Sequence, residues 1–219
     1  MDISFMIQKL PIMLYQGTLL TLELTALSLC FGTVFGVILA LFKISKSLVL
    51  SKIASFYIWL FRGTPLLLQL FFFYYGLPSI SKSLEMKQFP AAVLALTLNC
   101  AAYMAEIIRG GIISIEKGQF EASKALGFTY IQTMGKIVLP QTFRVIMPPV
   151  GNEFIAMIKD TSLVSSIALT ELLRTATNIA SATFKYPEML TLAAIYYLIL
   201  TTLFTSLFSL VEKKLSVYA

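Results

Sequence analysis

The chain has 219 residues and a net charge of +6, is 58% hydrophobic and 13% charged, and has a mean hydropathy of +0.83. That composition is too apolar for a soluble domain of this length and places the chain in a bilayer. The basic excess does not point to nucleic acid, because Lys and Arg fall in short clusters between apolar runs, as in membrane-flanking loops.

The absence of histidine removes a Cys/His metal site and a His-based catalytic triad, and Cys30 and Cys100, each inside an apolar run, read as small packing residues. Met1–Ser4 puts no basic region ahead of the first apolar stretch and no small-residue cleavage pattern follows, so the first span is expected to stay in the mature protein.

In chain order, runs long enough to cross a bilayer core fall at Pro11–Phe42, Leu48–Leu77, Phe89–Ile113, Phe143–Ala168 and Met189–Val211. They predict an all-α, five-span membrane protein folded as a single domain over residues 1–219. An odd span count puts the termini on opposite sides. With the C-terminus inside, the inner segments carry Lys43, Lys46, Lys52, Arg109, Lys117, Lys124, Lys136, Arg144, Lys213 and Lys214. The outer ones carry Lys9, Lys82, Lys87, Arg174 and Lys185, and ten against five predicts an outer N-terminus and a cytoplasmic C-terminus.

The longest inner connection, about 114–142, alternates charged and apolar residues and is expected to fold. Ile115, Phe120, Ala122, Ala125 and Leu126 are expected to share the apolar side of a short helix, with Glu116, Lys117, Glu121 and Lys124 outward. Gly127 is placed to end that helix in a left-handed conformation. A second helix, Tyr130–Val138, is expected to stop at Pro140, whose ring and missing N–H disfavour continuation.

The string Glu121-Ala122-Ser123-Lys124-Ala125-Leu126-Gly127, followed by Ile137-Val138-Leu139-Pro140, resembles the cytoplasmic loop by which ABC importer permeases dock onto their ATPases. Ser123 stands where the family pattern has a second Ala. Phe61–Leu66, Ala102–Gly111 and Lys159–Leu163 resemble signatures of that family's polar amino-acid branch, so the likeness covers most of residues 61–165. It implies a second permease copy or paralogue, two ABC ATPase subunits and an extracytoplasmic solute-binding protein. It also implies ATPase docking by Glu121, Ala122, Ser123, Lys124, Gly127 and Pro140, in a bacterial or archaeal cytoplasmic membrane. This chain would need no cofactor of its own, ATP and Mg being bound by the ATPases. In agreement, the sequence holds no GxxxxGK[ST] string. By periodicity alone the lesser alternative is an ordinary interfacial helix with its charges in water.

Arg62-Gly63-Thr64-Pro65 interrupts the second run with a charge, a flexible residue and a helix breaker, and either kinks the span or lines the pathway through Arg62 and Thr64. Glu106 and Arg109, three residues apart, read as a structural ion pair. In the fourth run Glu153, Lys159 and Asp160 should face protein or a watery cavity, because lipid would not accommodate them. At 100° per residue Glu153, Met157, Asp160 and Val164 share a narrow face suited to a cationic, partly aliphatic solute. Asp160, Thr161 and Ser162 are also capping residues. They could begin a half-helix that receives an α-carboxylate, with Lys159 as a second partner. The alternative is that Lys159 pairs with Glu153 or another buried acid to hold helices together, and Asp160 only caps. Glu23 reaches either the pathway or the outer headgroups. Glu171, Arg174, Lys185 and Glu188 are assigned to the outer loop where a binding protein would land.

The expected function is therefore the permease subunit of an ATP-driven importer of polar, basic amino acids such as arginine, lysine or histidine. The rival from another class is a self-sufficient secondary carrier or channel, which the buried charges alone would also fit.

Overall fold

A computed structural model describes residues 1–216. The first helix, α1 (Ile3–Ile44), begins earlier than hydropathy implies because Asp2 caps it, its carboxylate accepting the Phe5 N–H at 3.0 Å. The Lys185 ammonium, 2.6 Å away, and the Phe5 N–H hold the Asp2 carboxyl below the usual carboxylate range. Pro11 stays inside α1, and a π-helical turn at Met13–Thr18 follows it. At about 1.5 Å per residue the 42 residues run to about 63 Å, twice a bilayer core.

The second apolar run is two helices, α2 (Leu48–Gly63) and α3 (Leu66–Ile80), bent by 103° at Thr64–Pro65. Beyond them come a short 3-10 turn at Lys82–Leu84, α4 (Gln88–Ile113) and α5 (Lys117–Ala125). The next helix, α6, rises through Tyr130–Thr133 and a π-helical turn at Met134–Val138 into Leu139–Asp160, and a 3-10 segment, Thr161–Ile167, extends it. Two left-handed residues, Ala168 (φ 62°) and Phe184 (φ 56°), bracket α7 (Leu172–Thr183). The last helix is α8 (Tyr186–Ser216).

Four expectations are corrected. Pro140 does not stop a helix: it sits in the first turn of Leu139–Asp160, and the wider π turn before it accommodates the N–H that it cannot give to the Lys136 carbonyl. No half-helix begins at Asp160–Ser162, because helical bonding carries on and the Thr161 N–H already donates to Met157 O. Glu171 is not in an exposed loop; it is fully buried and caps α7, accepting from Leu173 N at 2.8 Å, Arg174 N at 2.7 Å and the Tyr197 hydroxyl at 2.8 Å. Ala122, Ala125 and Leu126 are exposed on α5, and its inward residues are Phe120 and Ser123.

Small residues let the main helices approach. A Cβ on Gly32 would lie 2.7 Å from Cys100 Sγ, and one on Gly36 2.6 Å from Met104 Cβ, so α1 lies directly against α4. Packed from both sides, α4 is the central helix, whereas α8 buries Met189, Leu192, Ala193 and Leu200 against its neighbours and turns most of its remaining apolar length outward. Among the described residues α1, α4 and α8 are long and apolar enough to cross a membrane, and the bent α2–α3 pair makes a fourth candidate. The 22-residue Leu139–Asp160 stretch of α6 is about 33 Å long, but Arg144, Glu153, Lys159 and Asp160 keep hydropathy from marking it as a span.

Candidate functional site: a charged cavity at a broken helix

Pro65 has no N–H, so the Phe61 carbonyl one turn earlier loses its helical donor, and α2 ends. The freed groups are repaired by side chains. Thr64 Oγ1 donates to Leu60 O at 2.8 Å, and Gln69 Nε2 donates to Phe61 O at 2.8 Å and to Thr64 O at 3.1 Å. From α4, Asn99 Nδ2 adds a 3.2 Å bond to Phe61 O and a 3.0 Å bond to Gln69 Oε1. At membrane depth each unmade backbone bond would cost several kcal/mol, so this clasp makes a right-angled break tolerable.

The break opens a cavity of about 530 Å³. Arg62, Gly63, Thr64, Pro65 and Leu66 form one wall, Asn99 and Tyr103 of α4 the second, and Glu153, Ala156 and Asp160 of α6 the third. The Arg62 guanidinium lies 5.0 Å over the Tyr103 ring. Two acids and one base therefore converge where a span is interrupted, an arrangement able to take a solute carrying both charges.

Of the residues singled out from sequence, Arg62, Thr64, Glu153 and Asp160 meet here. Met157 does not line the cavity: it is 2% exposed and packs with Val164, Leu24 and Leu70. Around the helix Ala156 sits about 60° to one side of Glu153 and Met157 about 40° to the other, so opening one side turns the other into the core. Lys159 is exposed, and among the described residues no ion pair joins it to Glu153. Thr161 is buried, its hydroxyl donating to Ile158 O at 2.7 Å, and neither it nor Ser162 nor the exposed Glu23 lines the cavity. Sequence reasoning missed Asn99, Gln69 and Tyr103. The signal was a buried amide on each of two apolar helices, the kind of group that must find partners.

Toward the C-terminal ends of α1 and α4 the expected Glu106–Arg109 pair forms at 2.7 Å, and Lys43, distant in sequence, joins it at 2.6 Å. On the 114–142 connection Gly127 has φ +78°, with Gly127 N–H donating to Lys124 O and Phe128 N–H to Ser123 O, both at 3.0 Å. This is a Schellman end to α5. Ser123, 1% exposed, lies 2.9 Å from Thr133 Oγ1 and so ties α5 to the foot of α6. Glu121, Ala122, Lys124 and Pro140 are exposed, and beside them Leu126 (76%), Tyr130 (70%) and Ile131 (81%) stand almost free of the fold.

The sequence profile of the family described as binding-protein-dependent transport system inner membrane component matches residues 32–217. The chain belongs to that family. It is thus a permease component, not an ATPase, with the fold of type I ABC importer permeases. It is 42% identical over 215 residues to the arginine transport system permease protein ArtQ of Bacillus subtilis strain 168, covering 98% of this chain and 97% of that one. It is 41% identical over 203 residues to the L-cystine transport system permease protein TcyB of the same strain, covering 92% and 86%. A crystal structure of an amino acid ABC transporter with histidines superposes with a TM-score of 0.92 at 39% identity, covering 98% of this chain and 99% of that one.

Proposed function

We propose that the permease is the membrane subunit of an ATP-driven importer of polar amino acids, basic ones above all, and that the cavity at the broken helix holds the solute. The observation that carries this is the meeting of Glu153 and Asp160 with Arg62 around about 530 Å³. The two carboxylates, seven residues and thus about 10 Å apart along α6, face a cationic side chain. Arg62 and the unbonded N–H groups in the first turn of α3 receive the α-carboxylate. That role passes to them from Asp160–Ser162, whose amides are in helical bonds. The relatives named for arginine, cystine and amino-acid transport agree with polar amino acids as the substrate class.

Five spans fit this reading, with α6 as the charged fifth shielded from lipid by its neighbours and by a second permease copy or paralogue. The N-terminus lies outside and the C-terminus in the cytoplasm, as the basic residues favour. The apolar group Leu126, Tyr130 and Ile131, rimmed by Glu121 and Lys124, has the composition of a protein contact and receives an ATPase subunit, the ATP and Mg remaining with that partner. Because the Ser123–Thr133 bond joins α5 to the helix that carries Glu153 and Asp160, movement of the docked ATPase reaches the cavity walls directly. An extracytoplasmic binding protein delivers the solute from outside.

The test is uptake of labelled arginine into proteoliposomes holding the permease with its ATPase, repeated with a hydrolysis-dead ATPase. Uptake that stops in the second case supports the importer. Uptake that persists on an imposed ion gradient would establish the carrier in its place.

A further inference from the structure

We infer that Asn99 turns a hydrogen-bond acceptor into the cavity and forms a subsite for a donor-bearing, cationic solute side chain, guanidinium or ammonium. The inference rests on the importer reading above.

The orientation follows from the chain of bonds around the break. Backbone carbonyls only accept, so Gln69 has to aim its NH₂ group at Phe61 O and Thr64 O. Thr64 Oγ1, whose own hydrogen goes to Leu60 O, is a third acceptor 2.8 Å from the same nitrogen. Gln69 Oε1 is thereby left facing Asn99, which must answer with Nδ2 at 3.0 Å. The second Nδ2 hydrogen goes to Phe61 O at 3.2 Å. Turning the Asn99 amide over would set its oxygen against two acceptors, and turning Gln69 over would set its oxygen against two carbonyls. Both amides are therefore fixed without appeal to the placement of hydrogens.

What remains is Asn99 Oδ1. Both described Asn99 side-chain bonds are made by Nδ2, among the described residues none donates to Oδ1, and Asn99 lines the same cavity as Glu153 and Asp160. The α4 and α6 walls together consequently offer a neutral acceptor and two carboxylates, while the single basic side chain lining the cavity, Arg62, lies over Tyr103. The carboxylates supply charge, and Asn99 supplies a fixed direction. A guanidinium, with five donors and no acceptor, satisfies such a lining in any orientation and brings charge, whereas an amide or ureido side chain meets it only through neutral N–H groups and must place its own carbonyl oxygen away from the acceptors. Pro65 is thus the distant origin of the selectivity: by orphaning Phe61 O it commits Gln69, and Gln69 commits Asn99.

The experiment compares arginine with citrulline, its uncharged near-isostere in which a carbonyl oxygen replaces one NH₂ group. ATP-dependent kcat/KM for both is measured for wild type, Asn99→Leu and Asn99→Asp in proteoliposomes with the partner ATPase, and the arginine/citrulline ratio is read, which does not depend on how much protein folds. Asn99→Leu should lower the ratio about tenfold or more, the worth of one hydrogen bond to a charged group. Asn99→Asp loses the same two donations to the clasp but keeps an oxygen for the cavity, so its ratio should equal or exceed wild type. If turnover is lost, the same ratio is read from equilibrium binding to the purified complex. A ratio unchanged in Asn99→Leu, or lowered equally in both variants, would overturn the subsite and leave Asn99 a clasp residue only. Absence of ATP-dependent uptake of both solutes by wild type would refute the importer reading itself, and the subsite with it.

Discussion

Gly127 isolates what one turn contributes to the proposed coupling between the ATPase and the cavity. Its φ of +78° is left-handed, and a Cβ built there meets no atom within 4 Å, so a substitution acts through the backbone and not through crowding. Alanine should cost roughly 1–2 kcal/mol for the left-handed conformation, and asparagine less, because it visits that region routinely. Proline adds the loss of the Gly127 N–H bond to Lys124 O, worth about 1 kcal/mol, and locks φ near −65°, so the whole Schellman end fails. That damage falls at the junction of α5 with the foot of α6, where Ser123 meets Thr133. Arginine uptake and co-purification of the ATPase with tagged permease should therefore fall in the order Gly, Asn, Ala, Pro, while membrane insertion is kept. Wild-type uptake and co-purification in Gly127→Pro would refute the reasoning, and equal losses in Ala and Pro would show that bulk, not backbone, matters there.

Other outcomes follow from the same structure. Gly36→Ala places a methyl 2.6 Å from Met104 Cβ and should destabilise the α1–α4 contact by about 1–3 kcal/mol, seen as a lower midpoint of thermal unfolding in detergent. Glu171→Leu removes the cap of α7 and strands the Tyr197 hydroxyl; about 2–4 kcal/mol should be lost in the same assay, and an unchanged midpoint would remove Glu171 as a structural tie. With Cys30 and Cys100 replaced, a single cysteine at exposed Lys117 should react with impermeant reagents from the cytoplasmic side, and labelling from outside intact cells would invert the topology.

The helices were legible because bilayer crossing imposes long apolar runs, and α4 and α8 begin and end within a few residues of those runs. Less legible were the breaks. Pro65 read as a kink but not as a right angle, since the bend depends on Gln69 and Asn99 arriving from elsewhere in the chain to take up orphaned carbonyls. At Pro140 a π turn absorbs the proline that, on local grounds, should have ended a helix. For α6, the 100° rule found Glu153 and Asp160 but also selected Met157, because periodicity gives a face and not which edge of that face is open. Partners far apart in sequence, such as Lys43 with Glu106 or Glu171 with Tyr197, have no local signature at all.

The central claim, that the two acids on α6 select a cationic amino acid, is tested most directly by the arginine/glutamine uptake ratio of wild type, Glu153→Gln and Asp160→Asn, with protein level and basal ATPase activity matched. A charge-assisted bond worth about 1.5–3 kcal/mol corresponds to roughly a ten- to hundredfold loss for arginine. Glutamine, which brings no charge to the carboxylates, should lose much less. Equal proportional loss of both solutes in both variants would show that the acids only hold helices together and would contradict the account.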